Sequence, residues 1–254
     1  MYKIIALWSH PRSMSTATER IMRERGDFIC HHEPFMYDYY VHRKVREMPH
    51  FDIEQNRPQS YREIRDMIMR DAEKGPVFFK DMSYYVVPQI LDDAEFLQSV
   101  THCFLIRDPV PAILSYYKLD PQVTLEEIGL ETQWLLYEVL LDRGLKPVVI
   151  EAESIRNNPK GALSALWNEI GIDYEKKGFE WQDKKPKDWG QVSGWHGDVI
   201  HSDGIRPIDP DETMTKFLEF EKLVRSQPHL REFLDHHVPF YEKLQSTALS
   251  TKAV

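Results

Sequence analysis

Ile4-Ile5-Ala6-Leu7-Trp8-Ser9-His10-Pro11-Arg12-Ser13-Met14-Ser15-Thr16-Ala17 is the stretch on which the fold turns. Its first five residues form a short apolar run, which predicts a buried strand. A helix is predicted next, with Ala17, Ile21 and Met22 apolar and Gly26 at its end. The loop between them carries hydroxyl side chains and one cation, Arg12. Free backbone N–H groups and the helix dipole favour an anion at such an N-terminus. Arg12 adds a permanent charge with directional donors. The same residues also read as simple N-capping by Ser13 or Ser15 beside a surface arginine. The ATP-type loop, G-x-x-x-x-G-K-[ST], is not what stands here, because residues 9–17 contain neither glycine nor lysine.

Outward from this stretch, short apolar runs alternate with longer helical patterns. Strands are predicted at Phe28–Cys30, Val77–Lys80, His102–Ile106 and Val148–Glu151. Helices are predicted from Tyr61 to Lys74, from Thr124 to Arg143 and from Pro159 to Ile170. Strand–helix alternation implies an α/β three-layer sandwich, with a mainly parallel central sheet flanked by helices. Ligands then bind beyond the carboxyl ends of the strands. Residues 1–245 read as a single domain. Within it, 183–210 reads as a lid or binding loop, and 246–254 as a flexible, frayed tail.

Composition narrows the partners. The chain has 254 residues and a formal net charge of −9, which argues against general nucleic-acid binding. No run approaches a membrane span and no secretory signal is visible, so a soluble cytoplasmic protein is expected. The two cysteines, Cys30 and Cys103, both fall in strand-like runs and read as buried free thiols. His31, His32 and Glu33 are adjacent, a poor spacing for a metal, and no metal is expected.

A second motif follows the His102–Ile106 run: Arg107-Asp108-Pro109-Val110-Pro111-Ala112-Ile113-Leu114-Ser115. Arginine at a strand's carboxyl end points into the ligand crevice, and the prolines pre-set the first helical turn. Arg107 and Ser115 together suit a second phosphate. A solvated serine beside an Arg107–Asp108 surface pair is the alternative.

Taken together, the two motifs resemble the cytosolic sulfotransferases that use 3′-phosphoadenosine 5′-phosphosulfate (PAPS). That family carries T-Y-P-K-S-G-T-T around the 5′-phosphosulfate and R-x-x-x-x-x-x-x-S around the 3′-phosphate. Arg12 falls on the motif lysine, Ser13 on the serine, and Ser15 and Thr16 on the paired threonines. Arg107 and Ser115 match the second motif in identity and spacing. Asn158-Pro159-Lys160 is similar to the family's E-N-P-K segment. The resemblance covers about residues 3 to 171 and implies a P-loop NTPase-like fold, with PAPS as donor co-substrate and no metal requirement. It also implies a small-molecule acceptor with a hydroxyl group, and a monomer or homodimer. Arg12, Ser13, Met14, Ser15, Thr16, Arg107 and Ser115 are then the nucleotide-binding residues.

The departures from the family redirect the chemistry. Arg12 replaces lysine, Met14 replaces glycine, and Ala17 stands where the family has a tryptophan. The family's R-K-G-x-x-G segment is absent. The stretch from Lys187 to Gly204, with Trp189, Trp195, His196, His201 and Ser202, lies in its place and is expected to close over nucleotide or acceptor. Many family members take their base from a histidine two residues after a strand-end lysine, and Met82 occupies that position after Lys80. Glu33 is then the best base, with His32 and Asp81 as runners-up and Lys80 binding acceptor or phosphate. Phe35, Asp81, Tyr84 and Tyr85 are expected to wall the acceptor pocket along with Glu33. Against this stand a P-loop-type small-molecule kinase, which lacks its G-K-[ST], and a catalytically inactive nucleotide-binding module.

Overall fold

The computed structural model describes residues 1–181, 186–195, 199 and 202–250. Among them, five parallel strands form one sheet: β1 (Ile4–Ser9), β2 (Ile29–His32), β3 (Val77–Met82), β4 (Val100–Ile106) and β5 (Val148–Glu151). Their order is β2-β3-β1-β4-β5. Every pairing is parallel, with Ile4 opposite both Val77 and Val100. All five expected strands are present; β5 has the expected bounds and the other four have shifted ends. β2 sits later than expected and takes in His31 and His32, while β3 runs on through Asp81 and Met82.

The strands are largely apolar because both faces of the sheet are covered, with the polar residues of β1, β2 and β3 gathered toward their carboxyl ends. Ile4, Ala6 and Trp8 face one layer with Phe79 and Phe104. Ile5, Leu7 and Phe78 face the other with Leu105 and Ile150. The first layer holds α2 (Tyr61–Asp71), α4 (Ala94–Ser99), α5 (Pro109–Leu119), α6 (Leu130–Asp142) and α10 (His229–Ser246). The short α3 (Ser83–Val86) follows β3 directly. The second layer holds α1 (Ser15–Arg25), α7 (Ala152–Asn157) and α8 (Pro159–Glu169). A further helix, α9 (Pro210–Leu223), packs on α5 and buries only Phe220.

Two expectations change. The helix expected from Thr124 to Arg143 is divided at Gly129, whose φ of 81° takes it out of the helical region. A short turn at Glu126–Ile128 precedes it and α6 follows. The tail expected to fray from 246 instead begins ordered. Ser246 completes α10, and Leu249 N–H donates to Val149 O at 2.8 Å, beside a parallel bridge from Ala248. A free backbone edge on β5 gives those residues partners. No helix among the described residues is long and apolar enough to cross a membrane.

Candidate functional site

The connection after β1 leads to one side of the sheet, toward β2, and the connection after β4 leads to the other, toward β5. A crevice opens between neighbouring strands whose connections diverge in this way. A cavity of about 260 Å³ lies there. Its lining includes Arg12 and Met14 from the loop after β1, Ser15 to Ala17 from the start of α1, Lys80 and Met82 from β3, Arg107 after β4 and Arg156 after β5. Four strands thus each deliver a cation to the same side of the sheet.

The two sequence motifs meet directly. Arg12 Nε donates to Ser115 Oγ at 2.9 Å, and Arg107 Nη1 donates to the Arg12 carbonyl at 2.8 Å. Burial pulls the Arg107 pKa below its ordinary value. Glu153 opposes that shift and the neighbouring Arg156 adds to it. An anion here would relieve both the desolvation and the like-charge repulsion. Arg107 Nε is buried without a hydrogen-bond partner among the described residues.

The N-terminus of α1 opens on the same cavity. Its N-cap is Met14, with no side-chain capping bond, and no acidic residue stands in the first turn. The capping reading of Ser13 and Ser15 is therefore not realised. Ser13 is fully buried, and its Oγ has no partner among the described residues. Ser15, Thr16 and Ala17 line the cavity with their N-terminal turn. Arg12 and Met14 hold φ of 62° and 71°, and Glu33 a φ of 41°. Non-glycine residues in this region carry strain, which persists only where surrounding contacts impose it.

Opposite the arginines, Glu33 and Lys80 form an ion pair, and both face the cavity. They are 4% and 0% exposed. Glu33 sits just past β2, with its N–H bound to Lys80 O at 2.9 Å. Met82 lines the cavity where the family histidine was expected and accepts a contact from Ser9 Oγ at 3.4 Å. Tyr84 and Tyr85 line the cavity together with Tyr116. Burial raises all three phenols above their ordinary pKa, so they remain hydrogen-bond donors.

Other expected site residues lie elsewhere. Phe35 is fully buried between Tyr61, Phe79 and Phe96, in the core rather than the acceptor wall. Asp81 is also fully buried. Its carboxylate accepts the N–H groups of Phe35 at 2.7 Å and Met82 at 3.0 Å, so it braces two turns and does not line the cavity. His32 lies behind Glu33. Its Nδ1 meets Glu19 Oε2 at 2.5 Å, while its Nε2 is 3.9 Å from Glu33. Burial, reinforced by Lys80, lowers its pKa to about 3 and keeps it neutral. His31 instead faces Asp71 at 3.2 Å. Among the described residues, no group of three or more His, Cys, Asp or Glu is placed to hold a metal.

Part of the 183–210 loop reaches the site. The Trp195 carbonyl accepts from Arg12 Nη1 at 2.8 Å, and its ring packs edge-on against Tyr116. Val192, Ser202 and Gly204 also line the cavity. Trp189 does not: it is buried and donates to Glu19 Oε1 at 3.0 Å. His196 and His201 lie outside the described residues. Sequence reasoning missed Trp181, Arg156 and His10. Trp181 lines the cavity, with the Arg20 guanidinium 5.5 Å from its ring centroid. The His10 ring accepts the Arg107 N–H at Nε2, 3.0 Å away, tying the loop after β1 to the loop after β4. Burial lowers the His10 pKa to about 3, which keeps that acceptor unprotonated.

The chain is 25% identical over 253 residues to "Branched-chain-amino-acid aminotransferase-like protein 1" of Arabidopsis thaliana, covering 97% of this chain and 44% of that protein. It is 23% identical over 201 residues to "Branched-chain-amino-acid aminotransferase-like protein 2" of the same organism, covering 78% and 35%. The chain thus spans less than half the length of these curated relatives. Among solved structures, the "Sulfotransferase Domain from the Curacin Biosynthetic Pathway" is similar in fold. Its TM-score is 0.52 at 13% identity, over 76% of this chain and 83% of that one. The family model described as a sulfotransferase domain matches residues 2–246, nearly the whole described fold, and the chain belongs to that family.

Proposed function

We propose that this chain transfers a sulfuryl group from PAPS to the hydroxyl of a small acceptor. The observation that carries the reading is the meeting of the two motifs across the β1–β4 crevice, where Arg107 bonds the Arg12 carbonyl and Arg12 bonds Ser115. Neighbouring strands lie about 4.8 Å apart. In sheet order, Lys80 and Arg12 occupy one half of the crevice and Arg107 and Arg156 the other. Such a row suits a nucleotide with two separated anionic groups better than one with a single phosphate chain.

The chemistry follows from the placement. The phosphosulfate lies against the uncapped α1 N-terminus and Arg12. The second phosphate lies at Arg107, and Trp181 offers a face for the base. The acceptor enters between Glu33, Lys80 and the tyrosines. Its oxygen attacks sulfur in line, and Glu33 takes the hydroxyl proton. The bridging S–O bond breaks, and its electron pair goes to the phosphate oxygen. Arg12 and the α1 N–H groups meet that developing charge. The fixed positions of Glu33 and Arg12 also orient the reactants.

Calorimetric binding of 3′-phosphoadenosine 5′-phosphate (PAP), without magnesium and against magnesium-ATP, tests the donor. We expect micromolar affinity for PAP, weaker binding of ATP, and at least a tenfold loss in Arg107→Ala with the fold retained. That loss corresponds to at least about 1.4 kcal/mol, close to the lower bound for a charge-assisted hydrogen bond. Preference for magnesium-ATP would transfer the reading to a kinase.

A further inference from the structure

Beyond Arg107, the cavity ends at α7 and α9. Arg156 on α7 follows β5, and its side chain is 14% exposed. Its Nε donates to Arg206 O at 3.1 Å and its Nη2 to Pro207 O at 2.8 Å, which ties the segment before α9 to the sheet. Nη2 also lies 3.6 Å from Glu212 Oε2. Glu212 sits in the first turn of α9 and pairs on its other side with Lys216, one turn along. Arg156, Arg206, Glu212 and Lys216 all line the cavity.

A carboxylate between two cations therefore stands in the wall of an anion site. Its influence extends to Arg107, whose charged form is favoured by Glu153, Asp108 and Glu212 against burial and the repulsion of Arg156. A dianionic phosphate held at Arg107 would draw on the same cations and be repelled by the same carboxylate.

We infer that Glu212 competes with the donor's second phosphate for Arg156 and Lys216, and so sets how strongly the site discriminates nucleotides that carry that phosphate from those that do not. The inference rests on the PAPS reading. Arg156 is then a nucleotide-selecting residue as well as a clamp on the 206–207 backbone. Glu212 weakens the hold on the donor and on the spent nucleotide alike. A phosphate site with such a competitor releases its product more readily than one lined by cations alone, because the cations recover a partner as the phosphate leaves.

The test is calorimetry at one ionic strength with PAP and adenosine 5′-phosphate, which lacks the second phosphate. Glu212→Gln is expected to tighten PAP about three- to tenfold and to leave adenosine 5′-phosphate within about twofold. Arg156→Ala is expected to weaken PAP at least tenfold, and adenosine 5′-phosphate by much less. Arg156→Lys keeps the charge without the paired carbonyl bonds, and is expected to retain part of the selectivity. Equal effects on both ligands in Arg156→Ala would make that residue a structural clamp only. Unchanged PAP affinity in Glu212→Gln, or an equal gain for both ligands, would overturn the inference while the wild type's Arg107-dependent PAP binding stands. Wild type that binds no PAP would overturn the donor reading and this inference together.

Discussion

At the scale of the residue, the site is built from side chains held where they would not settle on their own. Met14 adopts a φ of 71° at the head of α1, in the left-handed region that disfavours a Cβ. Its side chain packs against the second layer of the core, which offsets part of that strain. A branched Cβ would conflict with this backbone much more severely. Met14→Val is therefore expected to lower stability by about 1–2 kcal/mol. Met14→Gly is expected to stay within about 1 kcal/mol of wild type, since the strain it relieves offsets lost packing and added chain entropy. Urea denaturation of both variants checks this, and equal losses would mean that the methionine side chain, not the backbone, sets the requirement.

At the scale of the element, Gly129 divides a continuous helical pattern. Its φ of 81° turns the chain into α6, and a Cβ there would lie 3.2 Å from His10 Cβ and 3.3 Å from Tyr84 Cδ1. His10 holds Arg107 N–H and Tyr84 lines the cavity, so the start of α6 packs directly beneath the site. Four residues on, Gln133 Nε2 donates to Trp8 O and Leu105 O, at 3.0 and 3.2 Å, binding the ends of β1 and β4 together. Gly129→Ala is expected to cost about 1–3 kcal/mol and to weaken PAP binding, through strain at φ and displacement of His10. A stability loss with unchanged PAP affinity would show that the contact does not reach Arg107.

At the scale of the whole molecule, buried neutral histidines couple the fold to pH. Burial is the first cause in each case. It lowers His10 and His32 to about 3, and His102 and His237 to about 4, from 6.5. Below pH 6.5 the unfolded chain binds protons that the folded chain refuses, so these groups withdraw stability as pH falls toward 4. Asp81 and Glu153, raised first by burial, act in the opposite sense. His102 isolates one contribution. Its Nδ1 accepts from Trp8 Nε1 and its Nε2 donates to Leu97 O, both at 2.9 Å, which holds it as a single neutral tautomer. Between pH 6 and 5, the slope of unfolding free energy against pH is expected to be about 1 kcal/mol per unit shallower in His102→Gln than in wild type. Identical slopes would mean that His102 titrates normally in the folded chain.

The five strands, the strand–loop–helix at Arg12 and the position of Arg107 just past a strand were legible because each is local. Short apolar runs declare strands buried on both faces, and residues just after such strands must face the crevice. The same logic found Glu33 and Lys80. It could not separate Asp81 from Lys80, or Phe35 from Tyr84 and Tyr85. Lys80 and Asp81 are neighbours on β3 and point to opposite faces, while Phe35, Tyr84 and Tyr85 all follow strand ends, and in both cases which side chain meets the cavity depends on layers contributed from elsewhere in the chain. Trp181, Arg156 and the His10–Arg107 bond were likewise out of reach, since each joins segments far apart in sequence. The sequence by itself determined the strands of the sheet and the placement of Arg12, Lys80 and Arg107 at its carboxyl edge. Only the tertiary structure decided which of the neighbouring polar groups became site and which became core, because burial and hydrogen-bond partners are properties of packing between distant elements.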